Sequence, residues 1–201
     1  MLLHERTEKY KIYLASQSPR RKTLLEGLDL DFEVLVRQGI DESVPPGLSK
    51  IEIPVYLAEH KSDAYIDLLR NNTIVITADT IVWHNNRELG KPKDPSDAID
   101  ILRELSGNMH EVITGVCIRS KSQVRKFYAL SKVWFRAISE PEISYYLSRY
   151  KPYDKAGAYG IQEWIGYSGI QKIEGSFYNV MGLPVQTLYV ELMEFIDHET
   201  D

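Results

Sequence analysis

"YLASQSPRRKTLLEGL", residues Tyr13 to Leu28, changes its period halfway along. A short apolar run ends in Ser-Gln-Ser-Pro, after which Leu24, Leu25 and Leu28 recur on one face of a helical pattern. Lys11–Ala15 reads as a strand, Ser18 as an N-cap and Pro19 as the first helical residue. A strand that feeds straight into a helix is the repeating unit of an α/β fold. The same junction sets Arg20 beside Arg21 in a chain of formal net charge −5. Cations at a helix N-terminus oppose its dipole by roughly 0.3–1 kcal/mol each. The hydroxyls of Ser16 and Ser18, free backbone N–H groups and two guanidinium forks suit an anion there, phosphate oxygens above all. The plainer alternative is a Ser18 cap followed by two solvated arginines.

Moving outward, strand-like and helix-like segments keep alternating. Phe32–Val36 reads as a strand, and the next helix starts either at a Ser49–Glu52 capping box or at Pro54. Its apolar face carries Leu57, Ala58, Tyr65, Leu68 and Leu69. Thr73–Trp83 is β-branched and ends in the turn signal His84-Asn85-Asn86. Asp94-Pro95 opens a helix that Gly107 closes. His110–Ile118 and Val124–Arg136 read as strands about a polar turn, Ser139 starts another helix, and Val185–Ile196 is a terminal helix. The stretch from Lys155 to Leu183 is glycine-rich and broken. A long strand from Val124 returning beside its neighbour makes the expected sheet mixed. The expected fold class is α/β, a long mixed sheet with flanking helices, as one domain or two lobes around one cleft.

Composition narrows the function. At 201 residues the chain should bury roughly 70% of its unfolded surface, so it needs no covalent staples. Its single cysteine, Cys117, excludes an internal disulfide and a cysteine-rich zinc site, and its apolar surroundings suggest a core thiol. The start, MLLHERTEKYK, lacks the apolar stretch of a secretory signal. No run approaches the roughly 20 apolar residues of a membrane helix. A cytoplasmic protein with no membrane partner is expected, and the acidic balance argues against a stable nucleic-acid complex.

Asp79 and Thr80 interrupt the otherwise buried-looking run "VITADTIVW". A carboxylate in such a place holds a metal, deprotonates a water, or caps a nearby turn. "LGKPKD" supplies Lys91, whose backbone is fixed by the following proline. Asp41 and Glu42 sit on a loop after a strand, as hard oxygen ligands for Mg²⁺ do, and as ordinary surface acids also do. Lys61 shares a helix face with Leu57 and Tyr65, where it either snorkels or clamps a phosphate. In "DKAGAYGIQEWIG", Asp154–Gly166, the glycines allow close backbone approach, and Gln162 offers an amide to a base edge. Tyr159 or Tyr178 is available to stack; the alternative is a turn-rich connection. The five histidines show no ligand spacing, and neither a P-loop nor a nucleophile elbow is present. Several cations, two or three carboxylates and no covalent nucleophile suit metal-assisted attack of water on a nucleoside triphosphate.

In order, "LASQSPRRKTLLEGL", "DES", "LAEHKSDA", "TADTIVW", "LGKPKD", "LSGNMHEVITGV", "DKAGAYGIQ" and "GSFYNVMGLP" resemble the signature blocks of the Maf family of nucleotide pyrophosphatases. The likeness runs from about Leu14 to Leu188 of a single 1–201 domain, with residues 1–10 as an extension and 197–201 as a tail. It implies a fold similar to inosine triphosphate pyrophosphatases, with two lobes and a deep cleft. It also implies hydrolysis of a nucleoside triphosphate to monophosphate and pyrophosphate with Mg²⁺ or Mn²⁺. Asp79 matches the proton acceptor and, with Glu42, the metal position. Ser16, Ser18, Arg20, Arg21, Lys61, Lys91 and Lys155 fall on substrate-binding blocks. Arg20, Thr80 and Gln162 match the branch acting on dTTP and UTP; the 7-methyl-GTP branch differs at the first and last of these. An imide edge presents acceptor, donor and acceptor, which an amide at Gln162 meets. Thr77 replaces a usual glycine, and Glu163 and Trp164 fall on variable-looking positions. A homodimer is further implied. The competing reading, taken from the family's older septum-formation name, is a non-catalytic nucleotide or nucleic-acid binding regulator of cell division.

Overall fold

The computed structural model describes residues 1–198, so the last three residues of the expected tail lie outside the described residues. The elements follow the expected alternation. A short helix α1 (Leu3–Thr7) precedes β1 (Lys11–Ala15), α2 (Pro19–Glu26) and β2 (Phe32–Leu35). Then come α3 (Glu52–Asp63), β3 (Thr73–His84), β4 (Arg87–Glu88), α4 (Pro95–Leu105), β5 (Met109–Arg119) and β6 (Val124–Phe135). The chain finishes with α5 (Glu140–Tyr150), α6 (Trp164–Gly169), β7 (Ile170–Glu174), α7 (Phe177–Met181) and α8 (Val185–Asp197).

The seven strands form one mixed sheet in the order β2-β1-β3-β5-β6-β7, with β4 paired to β3. β1 runs parallel to both β2 and β3, whereas β4 on β3 and β7 on β6 are antiparallel. Two compact units share these strands. The first comprises Met1–Asp79, Thr114–Ala129 and the chain from Gly182; the second comprises Thr80–Ile113 and Leu130–Met181.

Local chemistry sets most boundaries. Ser18 caps α2 with its hydroxyl accepting from the Arg21 N–H, and Asp94 caps α4 by accepting from Asp97. Ser139 and Glu142 close a capping box on α5. Asn85 and Asn86 both take positive φ, 46° and 59°, which turns β3 tightly into β4. Helix α3 begins at Glu52 rather than Pro54, because a proline in the first turn forfeits no intrahelical bond. It stops at Asp63, so Tyr65 and Leu69 reach the core from a following 3₁₀ turn instead of the helix face.

In the first unit Ala15, Tyr65, Leu69 and Val75 form one buried cluster, against which Tyr13, Leu35 and Ile40 pack. The second unit's core joins α4 and α5 through Ile101, Leu102, Ile143 and Tyr146, and extends to Phe135 and Tyr159. The segment read as broken, 155–183, contains two short helices, a 3₁₀ turn at Ala156–Ala158 and the edge strand β7. These elements are too short to show a period, and β7 is defined by its pairing with β6.

Candidate active site

The parallel register decides where the first unit's charged groups meet. β1 pairs with β3 up to Leu14 opposite Ile76, so Asp79 lies three residues past the last pair. There the chain after β1 has already turned at Ser16. Ligands in α/β sheets gather at such carboxyl ends of parallel strands. The Ser18 N–H donates to Ser16 Oγ at 3.2 Å, which shapes the turn into α2. No acid occupies the first turn of α2, where Arg20 and Arg21 stand against its dipole. Arg21 is half-buried, and its Nε donates to the Gly182 carbonyl at 2.8 Å. Burial lowers its pKa first and the charge of Arg20 adds to this, while Asp79 and Glu42 push it back up. One arginine thus senses both carboxylates that the sequence singled out.

Lys61 holds those carboxylates together. From the last turn of α3 its Nζ lies 2.6 Å from Asp79 Oδ1 and 2.9 Å from Glu42 Oε1. The Lys61 and Asp79 side chains are only 15% and 13% exposed, against 53% for Glu42. Two contacts fix α3 over β3. Thr77 donates its hydroxyl to the Ala58 carbonyl at 2.6 Å. Gly115 on β5 lets the Pro54 backbone approach so closely that any Cβ there would overlap it. Asp41 is spoken for elsewhere: its carboxylate accepts from the Ser43 hydroxyl at 2.7 Å and the Ser43 N–H at 2.9 Å, which lowers its pKa. Of the adjacent acids, Glu42 alone turns to Lys61.

In the second unit Thr80 is half-buried on β3, and Lys91 is exposed beside a cavity of about 270 Å³ that Arg87 and Glu104 also line. The 155–163 turn is anchored at Gly157, φ +71°, whose N–H is shared between the Leu89 and Gly90 carbonyls at 3.0 and 3.1 Å. Tyr159 is a core residue: its hydroxyl meets His110 Nε2 at 2.7 Å and its ring packs edge-on against Phe135. Tyr178 is half exposed. Gln162 is half-buried, with its Oε1 fully shielded and without a hydrogen-bond partner.

Sequence reasoning passed over two residues in this unit. Glu163, set aside as variable-looking, accepts the Tyr146 hydroxyl and stands 3.2 Å from Lys155 Nζ. Tyr146 reads in sequence only as part of an apolar helix face, and nothing local announces that its hydroxyl also accepts the Gly160 N–H at 3.0 Å. The hint in the sequence is a lysine and a glutamate eight positions apart, with Ala156, Gly157, Ala158 and Gly160 between them. Lys155 therefore sits between Asp154 and Glu163, at 2.8 and 3.2 Å.

Among the described residues no three His, Cys, Asp or Glu side chains converge as a self-sufficient metal cage. Glu42 and Asp79, both in contact with the Lys61 ammonium, provide two hard oxygen donors, the number Mg²⁺ typically takes from a protein when phosphates and water complete its shell. The donor set fits such a cation. No helix among the described residues is long and apolar enough to cross a membrane.

The chain is 54% identical over 191 residues to a dTTP/UTP pyrophosphatase of Parabacteroides distasonis, covering 95% of this chain and 99% of that one. A dTTP/UTP pyrophosphatase of Flavobacterium johnsoniae is 47% identical over 195 residues, 97% of this chain and all of that protein. Among solved structures, a HAM1 protein from Coxiella burnetii aligns with TM-score 0.42 and 13% identity, over 63% of this chain and 73% of that one. The family described as Maf-like protein matches residues 11–195, and with that match over nearly the whole length the chain belongs to the Maf-like family.

Proposed function

We propose that this chain is a nucleoside triphosphate pyrophosphatase that hydrolyses dTTP and UTP to the monophosphate and pyrophosphate. The observation that carries the reading is the Lys61 ammonium set between Asp79 and Glu42, close enough to Arg21 for both carboxylates to act on it. Relatives of about half identity over nearly the full chain, each named for that activity, support the substrate pair.

In this reading Asp79 accepts the proton of a water that attacks the α-phosphorus. A new P–O bond forms to that water, the α–β bridging bond breaks, and pyrophosphate leaves. Ser16, Ser18, Arg20 and Arg21, around the N-terminus of α2, bind phosphate oxygens and stabilise the charge that develops on the leaving group. Lys61 and Lys91 add point charges to the same task. Glu42 and Asp79 would hold a divalent cation, Mg²⁺ or Mn²⁺, which would supply positive charge to the phosphate oxygens. Thr80 and Gln162, with Arg20, select the base, and Lys155 belongs to the turn that carries Gln162. We take the setting to be the cytoplasm, with no stable nucleic-acid complex and a homodimer as the working unit.

The experiment is a nucleotide panel with purified protein and Mg²⁺ or Mn²⁺, with monophosphate and pyrophosphate measured separately. Turnover of dTTP and UTP to pyrophosphate is expected. Preference for a methylated purine nucleotide overturns the substrate assignment, and release of orthophosphate overturns the cleavage position. Absence of any turnover, with tight salt-sensitive DNA binding, favours the regulator reading.

A further inference from the structure

The ammonium of Lys61 engages the same two carboxylates that offer oxygen to a divalent cation. Its Nζ donates to Asp79 Oδ1 at 2.6 Å and stands 2.9 Å from Glu42 Oε1. All three residues belong to the first compact unit, so the arrangement is internal to it. The charges nearly balance: two carboxylates face the Lys61 ammonium and Arg21, which is near enough for both acids to act on it. A dication added alone would bring two uncompensated charges close to the ammonium, where Lys61 and Asp79 are largely shielded from water. Like charges in such surroundings repel far more than they do in water. A triphosphate arriving with the dication changes that sum, because it brings an anion for both the dication and the ammonium. The ammonium is also free to travel. α3 is fixed by the Thr77 hydroxyl on the Ala58 carbonyl and by the close approach of Pro54 to Gly115. Lys61 lies in its last turn and carries its charge on a flexible four-carbon stem, so the charge can shift while the helix stays in place. Glu42 yields as readily, since it lies outside the helices and strands and its side chain is half exposed.

A shielded ion pair adds little to stability, because desolvation offsets attraction, so stability is a poor account of this one. We propose that Lys61 reserves the metal position: its ammonium holds Asp79 and Glu42 together and keeps a free divalent cation out, until a triphosphate draws it off and the cation enters with the nucleotide. The proposal rests on the triphosphate reading above and deepens it. Metal and nucleotide are then coupled ligands, each tightening the other by the same factor. The two carboxylates never face each other uncompensated, since one cation replaces another. A free metal ion in solution, however abundant, does not convert the resting site into a loaded one.

The test measures Mn²⁺ binding to the full chain through the electron paramagnetic resonance signal of the free ion. Mn²⁺ is added alone, and then with a uridine triphosphate analogue whose α–β bridge is an uncleavable imido group. In the wild type Mn²⁺ alone should bind weakly. The analogue should tighten it about 10-fold or more, beyond the Mn²⁺ that the analogue holds by itself. Lys61→Met should bind Mn²⁺ alone about 10-fold more tightly than the wild type, the opposite of what loss of a merely structural contact gives. Adding Asp79→Asn to Lys61→Met should abolish that gain, and Lys61→Arg should bind Mn²⁺ alone no better than the wild type. Affinity in Lys61→Met equal to or below that of the wild type overturns the proposal, as does a gain that survives Asp79→Asn. So does, in a protein that cleaves UTP, an analogue that leaves the Mn²⁺ affinity unchanged. If Lys61→Met does not fold, the ¹³Cε signal of Lys61 in the wild type carries the test. It should hold its position when Mg²⁺ is added alone and move when Mg²⁺ and the analogue are added together; movement with Mg²⁺ alone overturns the proposal. A wild type that cleaves neither UTP nor dTTP overturns the reaction assignment, while the comparison with Mn²⁺ alone still decides the role of Lys61.

Discussion

The Lys61 ammonium lies 2.6 Å from Asp79 Oδ1, and both side chains are largely shielded from water. A helix residue and a strand residue 18 positions apart thereby form one charged unit, with Glu42 added at 2.9 Å from a loop. Removing either end leaves the other in poorly hydrated surroundings, so each substitution carries its own signature.

Asp79→Asn keeps the shape and the Oδ1 acceptor for Lys61 while abolishing the proton acceptor. Initial rates of pyrophosphate release from dTTP should fall roughly 10²- to 10⁴-fold. The melting temperature should stay near that of the wild type. A rate close to the wild type would pass the role to Glu42.

Lys61→Met leaves Asp79 and Glu42 facing each other without a cation. We expect a loss of about 1–3 kcal/mol in denaturant unfolding and a fall in kcat/KM of about 10²-fold or more. Lys61→Arg should recover the stability better than the activity, since a planar fork does not reproduce a point charge held by two carboxylates. Equal recovery of both would reduce Lys61 to a structural ion pair.

Gly115→Ala forces a methyl group into the Pro54 backbone, which has no side-chain freedom with which to yield. Overpacking of this kind costs about 1–3 kcal/mol, and thermal melting should register it as a drop of about 2–4 °C per kcal/mol. Because α3 carries Lys61, KM for the nucleotide should rise as well. An unchanged melting temperature would contradict the close approach of α3 to β5.

His110 makes stability depend on pH in a defined window. Burial first, and the neighbouring His84 second, lower its pKa from 6.5 to about 3 in the folded protein. Above pH 6.5 neither the folded nor the unfolded chain protonates it, and the full stability is present. As pH falls from 6.5 toward 3 the unfolded chain takes up a proton that the folded one refuses, so stability is lost. Glu142, held down to about 2 by Arg136 and the Ser139 backbone, acts only below its ordinary 4.5. Denaturation midpoints between pH 6.5 and 5 therefore leave Glu142 out, and His110→Phe should flatten that slope. A slope as steep as the wild type's would assign it to other groups.

Much of the fold was legible where local chemistry decides it. Ser18 with Pro19, Asp94 with Pro95 and Ser139 with Glu142 each announce a helix start through side-chain oxygens that satisfy free N–H groups. β1, β3, β5 and β6 were legible as long apolar or alternating runs. β4 and β7 were not, since two- and five-residue strands exist through pairing with distant partners. The candidate site divides in the same way. The positions of Asp79, Lys61 and Glu42 could be read singly from their surroundings, but their convergence follows from the register of β1 on β3 and the seating of α3. Glu163 and Tyr146 escaped notice because their partners come together only when the turn after Lys155 folds back onto α5.

Gln162 has a further implication for anyone who sets out to harden this protein. Its unpartnered oxygen is a local defect of the resting molecule, and a methionine of similar length would remove it. Selection for heat resistance alone should therefore drift toward losing that amide, and the variants that survive the highest temperatures should be those least able to tell one base from another.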